Sequence, residues 1–287
     1  MRRKMTVVLS GGQDSTTCLF WALNQGADVR AVFVNYGQRH LRERRAAQAM
    51  ATITRIPFEE IDVSNVLIGT SPLISKHPLE QYDDWHNLPG GLEKTFVPMR
   101  NQLFLTLAAN RAVAWGCDTL VTGVCQEDFG GYPDCRKTFI LAVEAAIRLG
   151  TFLEDQPFHI ETPLMDLDKA TSVRVAMAMP GCYGALGWSH TAYDGAYPPT
   201  GKDHATLLRA KGFELAGMPD PLVVRAVWED VMALPDTPNY RHCMSLISKY
   251  KPKTAVELDW ATPLDQNPYC IEFIHDRLEM LAKELVR

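Results

Sequence analysis

The chain has 287 residues, 46% of them hydrophobic and 22% charged, with a formal net charge of −5, the composition of a globular protein with room for one large domain or a domain plus a smaller module. The acidic balance argues against broad electrostatic binding to nucleic acid, no apolar run approaches the ~20 residues of a bilayer span, and Met1-Arg2-Arg3-Lys4 leads into an apolar stretch too short for a secretory signal. Seven scattered cysteines without C-x-x-C spacing predict reduced thiols, and a cytoplasmic location with them.

In chain order, strands are predicted at Thr6–Leu9, Val29–Val34, Phe58–Val63, Thr119–Val124 and His159–Glu161. Helices are predicted between and after them at Thr16–Asn24, His40–Ile53, Gln102–Trp115, Lys137–Leu149 and Lys169–Met177. Short apolar strands alternating with helices predict an α/β fold: a parallel sheet of about five strands with helices on both faces. Such sheets bind ligands at the carboxyl ends of their strands. From Ser64 to Pro98 the periodicity fails, and both a lid and an ordered surface loop are open readings. Residues 1–180 are expected to form the main domain and 181–287 a small C-terminal helical module. Its last amphipathic helix, near Ile271–Leu285, is expected to pack on the main domain or on a second subunit.

Directly after the first strand the chain reads Ser10-Gly11-Gly12-Gln13-Asp14-Ser15-Thr16-Thr17. The glycines permit a sharp turn that brings backbone N–H groups to an anion, and the helix start that follows favours phosphate. The motif is neither a Walker loop nor Gly-x-Gly-x-x-Gly. We assign Leu9, Ser10, Gly11, Gly12, Gln13, Asp14, Ser15, Thr16 and Thr17 to a nucleotide triphosphate, with Tyr36 stacking near it and Arg39 as a phosphate ligand. Asp14 is the candidate Mg²⁺ carboxylate, with helix capping as its compatible alternative. Lys169 and Arg100 bring positive charge from later segments, so Asp14, Lys169 and Arg100 are the catalytic candidates.

The loop resembles the signature of the PP-loop ATPases, whose fold is adenine nucleotide alpha-hydrolase-like and which split ATP between its α and β phosphates. Four further segments narrow the resemblance: Val34-Asn35-Tyr36-Gly37-Gln38-Arg39-His40, Thr95-Phe96-Val97-Pro98-Met99-Arg100-Asn101, Thr122 to Arg136 with Tyr132-Pro133-Asp134-Cys135-Arg136, and Thr162 to Ala170. Together they resemble the QueC family of 7-cyano-7-deazaguanine synthases over residues 5 to about 217. The resemblance implies ATP and Mg²⁺ as cofactors, 7-carboxy-7-deazaguanine and ammonium as substrates, no direct nucleic-acid contact and a homodimer. It also implies a reaction in which a carboxylate is adenylated, aminated to an amide and dehydrated to a nitrile. Substrate-binding candidates are Arg100, Asn101, Glu127, Phe129, Tyr132, Asp134 and Arg136. Asp134 or Glu127 would accept from the guanine-like edge, and Tyr132 or Phe129 would cover its face. Cys125 and Cys135 are read as packing or pocket lining, because ammonia attacking an acyl-adenylate needs no thiol.

The pattern breaks where relatives carry four zinc-binding cysteines. Those positions hold His190, Thr200, Asp203 and Thr206, so structural zinc is expected to be absent, with His190, Asp203 and His204 the weak alternative ligand set. Asn35 replaces a usual Asp, and Met99 a usual Gly, which is expected to narrow the substrate pocket. These departures leave open an enzyme that stops at the amide, another adenylating or sulfur-transferring PP-loop enzyme, and a non-catalytic nucleotide-binding regulator.

Overall fold

Five parallel strands in the order β3-β2-β1-β4-β5 form the centre of the computed structural model. The model describes residues 2–69, 71–75, 77–88, 93–125, 132–152, 158–253 and 266–287. The strands are β1 (Lys4–Val8), β2 (Asp28–Asn35), β3 (Phe58–Asp62), β4 (Thr119–Val121) and β5 (His159–Glu161). Each predicted strand is present. β4 is shorter than predicted, because the chain leaves the ladder at Thr122, whose N–H donates to the Glu161 carbonyl at the end of β5.

Helices α1 (Gln13–Asn24), α2 (Arg42–Thr54), α3 (Arg100–Ala114), α4 (Lys137–Leu149) and α5 (Lys169–Ala178) alternate with the strands. On one face, Val32, Val34, Leu120 and Ile160 pack against Leu105, Ala108 and Ala112 of α3 and Ile140 and Val143 of α4. On the other, Met5, Val7 and Ala31 pack against α1 and α2. The strand order reverses at β1, with β2 on one side and β4 on the other, and this reversal opens a crevice beyond their carboxyl ends.

Among the described residues five more helices follow: α6 (Cys182–Leu186), α7 (His204–Ala216), α8 (Pro221–Trp228), α9 (Pro238–Tyr250) and α10 (Pro268–Leu285). Ile274, Leu278 and Leu281 of α10 are buried in the same apolar cluster as β1, α1 and α6. The last helix thus packs on the sheet-bearing part of the same chain. No helix among the described residues is long and apolar enough to cross a membrane.

Candidate active site

The phosphate-type loop is built as the glycines require. Gly11 has φ +84°, and a Cβ there would lie 2.4 Å from the Glu43 carbonyl oxygen and 2.7 Å from Ala47 N, so the loop lies directly against α2. A Cβ on Gly123 would meet the backbone of Asp14 and Ser15 at 2.8 Å, so the end of β4 abuts the start of α1. Helix α1 begins at Gln13, three residues before the predicted start, with Gly12 as an N-cap that supplies no side-chain bond. Its first N–H groups therefore remain available to an anion. Ser10 Oγ lies 3.0 Å from Ser15 Oγ and accepts from Gly12 N at 3.3 Å, which fixes the loop.

The crevice, about 290 Å³, is lined by Ser10, Gly12, Gln13, Asp14 and Ser15 on the loop side. Leu9, Gly11, Thr16 and Thr17 are buried behind that lining. Leu9 N donates to Val32 O, and the Thr17 hydroxyl donates to Gln13 O at 2.9 Å. These four support the loop and do not line the crevice: Leu9 and Gly11 precede α1 and pack into the core and against α2, and starting α1 at Gln13 turns Thr16 and Thr17 inward. Asp168 caps α5 by accepting from Thr171 N, which delivers Lys169 to the crevice with its Nζ 2.7 Å from Asp14 Oδ2.

The lining also includes Tyr36, Glu43, Arg100, Asn101, Phe104, Tyr132 and Tyr193. The Arg100 guanidinium lies 5.8 Å from the Tyr36 ring centre, and Tyr36 packs on Phe104. Burial opposes the charge on Arg100, but Tyr36, Tyr132, Tyr193 and Asp134 outweigh it and hold the guanidinium firmly protonated. Asp134, pushed up by burial and drawn down by Arg100, accepts from Asn101 N at 3.4 Å. Asn101 Nδ2 donates to Asp134 O at 3.3 Å and to Cys135 Sγ at 3.4 Å, and Tyr132 shares a 2.6 Å hydrogen bond with Thr95. A positive group, an acid and four aromatic rings thus share the crevice with the phosphate loop, which suits a planar anionic substrate.

Three more predicted residues do not line the crevice: Asp134 is buried beside it, and two others lie elsewhere. Arg39 turns away from the crevice and donates to the carbonyls of Pro72 and His77, pinning the segment after β3. Arg136 is exposed as the N-cap residue of α4 and does not line the crevice. Glu127 and Phe129 lie outside the described residues. Glu43, which the sequence reading did not single out, lines the crevice from the first turn of α2.

A model of "Queuosine biosynthesis protein QueC" matches residues 4–217. The chain belongs to the QueC family. It is 45% identical over 223 residues to a 7-cyano-7-deazaguanine synthase of Gloeobacter violaceus, covering 77% of this chain and 95% of that protein. Proteins of the same name from Chromobacterium violaceum (46% over 227 residues, 77% and 94% covered) and Laribacter hongkongensis (45% over 221 residues, 76% and 93% covered) are similarly close.

The QueC match stops short of α8, α9 and α10, and its last part holds His190, Thr200, Asp203 and Thr206, where the sequence reading expects a departure from the family. Asp203 caps α7, accepting from Thr206 N at 2.9 Å, and the Thr206 hydroxyl donates to Asp203 O. His190 packs edge-on against His40 and pairs with Ala192 O, while His204 Nε2 faces Glu93 Oε1 at 3.6 Å. Burial and His40 push the His190 pKa down to about 3, and burial and Lys169 push that of His204 down to about 4. Engaged with these separate partners, His190, Asp203 and His204 do not come together as the alternative zinc set. Among the described residues no three His, Cys, Asp or Glu side chains gather as a metal site.

The other two departures are local. Asn35 Oδ1 accepts from Gly37 N at 3.2 Å, closing the turn after β2. Met99 is exposed, with φ +67°, and does not line the crevice. It strains the backbone before Arg100 and does not narrow the pocket, because its side chain leaves toward solvent.

Proposed function

We propose that the chain converts 7-carboxy-7-deazaguanine, ammonia and ATP into 7-cyano-7-deazaguanine. The observation that carries this reading is the single crevice in which the phosphate loop and Lys169 face Arg100, Tyr132 and the nearby Asp134 across a space of substrate size.

The residues suit the chemistry. A free carboxylate resists attack because its carbonyl already carries charge; joined to AMP it becomes a good electrophile. The N–H groups at the start of α1, with Ser10, Ser15 and Lys169, balance the charge of the phosphates. Arg100 holds the carboxylate toward the α-phosphorus, and Asp134 and Tyr132 orient the deazaguanine ring. Enclosure by Tyr36, Phe104 and Tyr193 keeps water from the adenylate until ammonia arrives. Mg²⁺ usually binds through one or two carboxylates plus phosphates, and Asp14 is the residue that would hold it. It would supply further charge neutralisation.

Incubation with 7-carboxy-7-deazaguanine, ammonium and Mg-ATP, followed by mass spectrometry, tests the proposal. Nitrile with AMP and pyrophosphate is expected. Amide that accumulates without nitrile would shorten the reaction to its first half, and unchanged acid would overturn the reading.

A further inference from the structure

Glu43 stands where the two halves of the crevice meet. Its helix is wedged against the phosphate loop by the Gly11 contact, and its side chain lines the crevice together with Tyr36 at the end of β2 and Arg100 at the start of α3. Asp14 is committed to Lys169, and Asp134 accepts from Asn101. Among the described residues no hydrogen bond or ion pair engages the Glu43 carboxyl. Glu43 is half-buried there, and a carboxyl kept in a crevice without a bonded partner is poorly explained by structural support, since partial desolvation costs stability and no hydrogen bond offsets it.

We propose that Glu43 is the proton acceptor for nitrogen in this reaction, a role that rests on the function proposed above. Ammonia attacks the acyl-adenylate carbonyl, the new C–N bond forms, and the C–O bond to AMP breaks. The nitrogen then carries one proton too many, and that proton passes to the Glu43 carboxylate. In the second half the amide oxygen takes the adenylyl group from a second ATP, releasing pyrophosphate, and the nitrogen loses two protons in all as AMP leaves and the nitrile forms. A base beside the reacting carbon serves each of these transfers. Burial raises the Glu43 pKa to about 7, with Arg100 opposing, and that value is suited to taking and returning a proton near neutral pH.

The test separates adenylation from amination in the full-length protein. Carboxylate-dependent exchange of labelled pyrophosphate into ATP reports adenylation alone, while mass spectrometry reports amide and nitrile. Glu43→Gln is expected to keep exchange near the wild-type rate and to lose amide formation by about 10²-fold or more. Glu43→Asp is expected to recover part of it. Hydroxylamine, whose conjugate acid gives up its proton far more readily than ammonium, is expected to trap the adenylate in Glu43→Gln with a much smaller loss. Product formed by Glu43→Gln at the wild-type rate would overturn the assignment, as would exchange and product falling together. Wild-type protein that catalyses neither exchange nor product formation would overturn the underlying function and the assignment with it.

Discussion

Arg209 of α7 and Asp220, the N-cap of α8, form a buried two-pronged ion pair, with Nε–Oδ2 at 2.7 Å and Nη2–Oδ1 at 2.8 Å. Arg209 lies within the QueC match and Asp220 beyond it. The same guanidinium donates to Leu186 O, Ser189 Oγ and Thr191 Oγ1, so it ties the segment leading to His190 onto the following helices. His190 N in turn donates to Gly11 O at 2.8 Å. A hydrogen-bonded cation thus joins the departing segment to the phosphate loop.

Removing one partner leaves a buried charge uncompensated. Asp220→Ala is therefore expected to lower unfolding stability by about 3–5 kcal/mol, and Arg209→Met with Asp220→Leu by much less. Urea unfolding of the three proteins measures this. A single substitution that costs under about 1 kcal/mol would show that water already solvates the pair.

The sequence offers Lys169 for the phosphates and Arg136 for the substrate, and only Lys169 lines the crevice. Lys169→Met removes the charge facing the phosphates and leaves Asp14 without its 2.7 Å partner. Loss of pyrophosphate exchange by about 10²–10³-fold is expected. Arg136→Ala, at an exposed helix start, is expected to leave exchange unchanged. Equal losses in the two variants would contradict the placement of the site.

Met99 occupies a left-handed conformation that a side chain other than glycine's adopts at a cost. Because it is exposed, little packing is lost on truncation. Met99→Gly is expected to stabilise the protein by about 1 kcal/mol after allowing for the greater freedom of glycine in the unfolded chain. A lowered urea midpoint would mean that the Met99 side chain contributes more than the strain removes.

The sheet was legible because its central strands β1, β2 and β4 are short, mostly apolar runs, and the phosphate loop because few sequences place glycines between a buried strand and a hydroxyl-rich helix start. Glu43 was hidden within Arg42-Glu43-Arg44-Arg45, which reads as a solvated helix face. A signal was present nonetheless: Ala46, Ala47 and Met50 lie three, four and seven residues on, the spacing of one helix face, and all three are buried. Arg39 follows the turn at Gly37 near the end of β2, but sequence position does not say which way a long side chain leaves the turn. The Arg209 network was invisible because ion pairs across separate helices leave no periodic trace.

The Glu43 carboxyl also makes a stability prediction whose sign follows from its protonation. Its ordinary pKa of 4.5 is raised to about 7 in the folded protein by burial, against the pull of Arg100. Below the ordinary value both folded and unfolded chains hold the proton, and the group contributes no pH dependence. Between these two values the folded chain keeps a proton that the unfolded chain releases, so stability falls as pH rises, and above about 7 the loss is complete. The shift would correspond to roughly 3 kcal/mol at most; partial exposure of the residue reduces this to about 1–2 kcal/mol. Glu43→Gln abolishes the titration. The variant is therefore expected to match wild type near pH 4 and to exceed it at pH 8, by a few degrees in Tm. Comparing the variant with wild type at each pH cancels the other titrating groups, which both proteins share. A Glu43→Gln protein less stable than wild type at pH 8 would mean that the fold favours the ionised carboxylate, as a structural ion pair with Arg100 would, and not the near-neutral acid that proton transfer calls for.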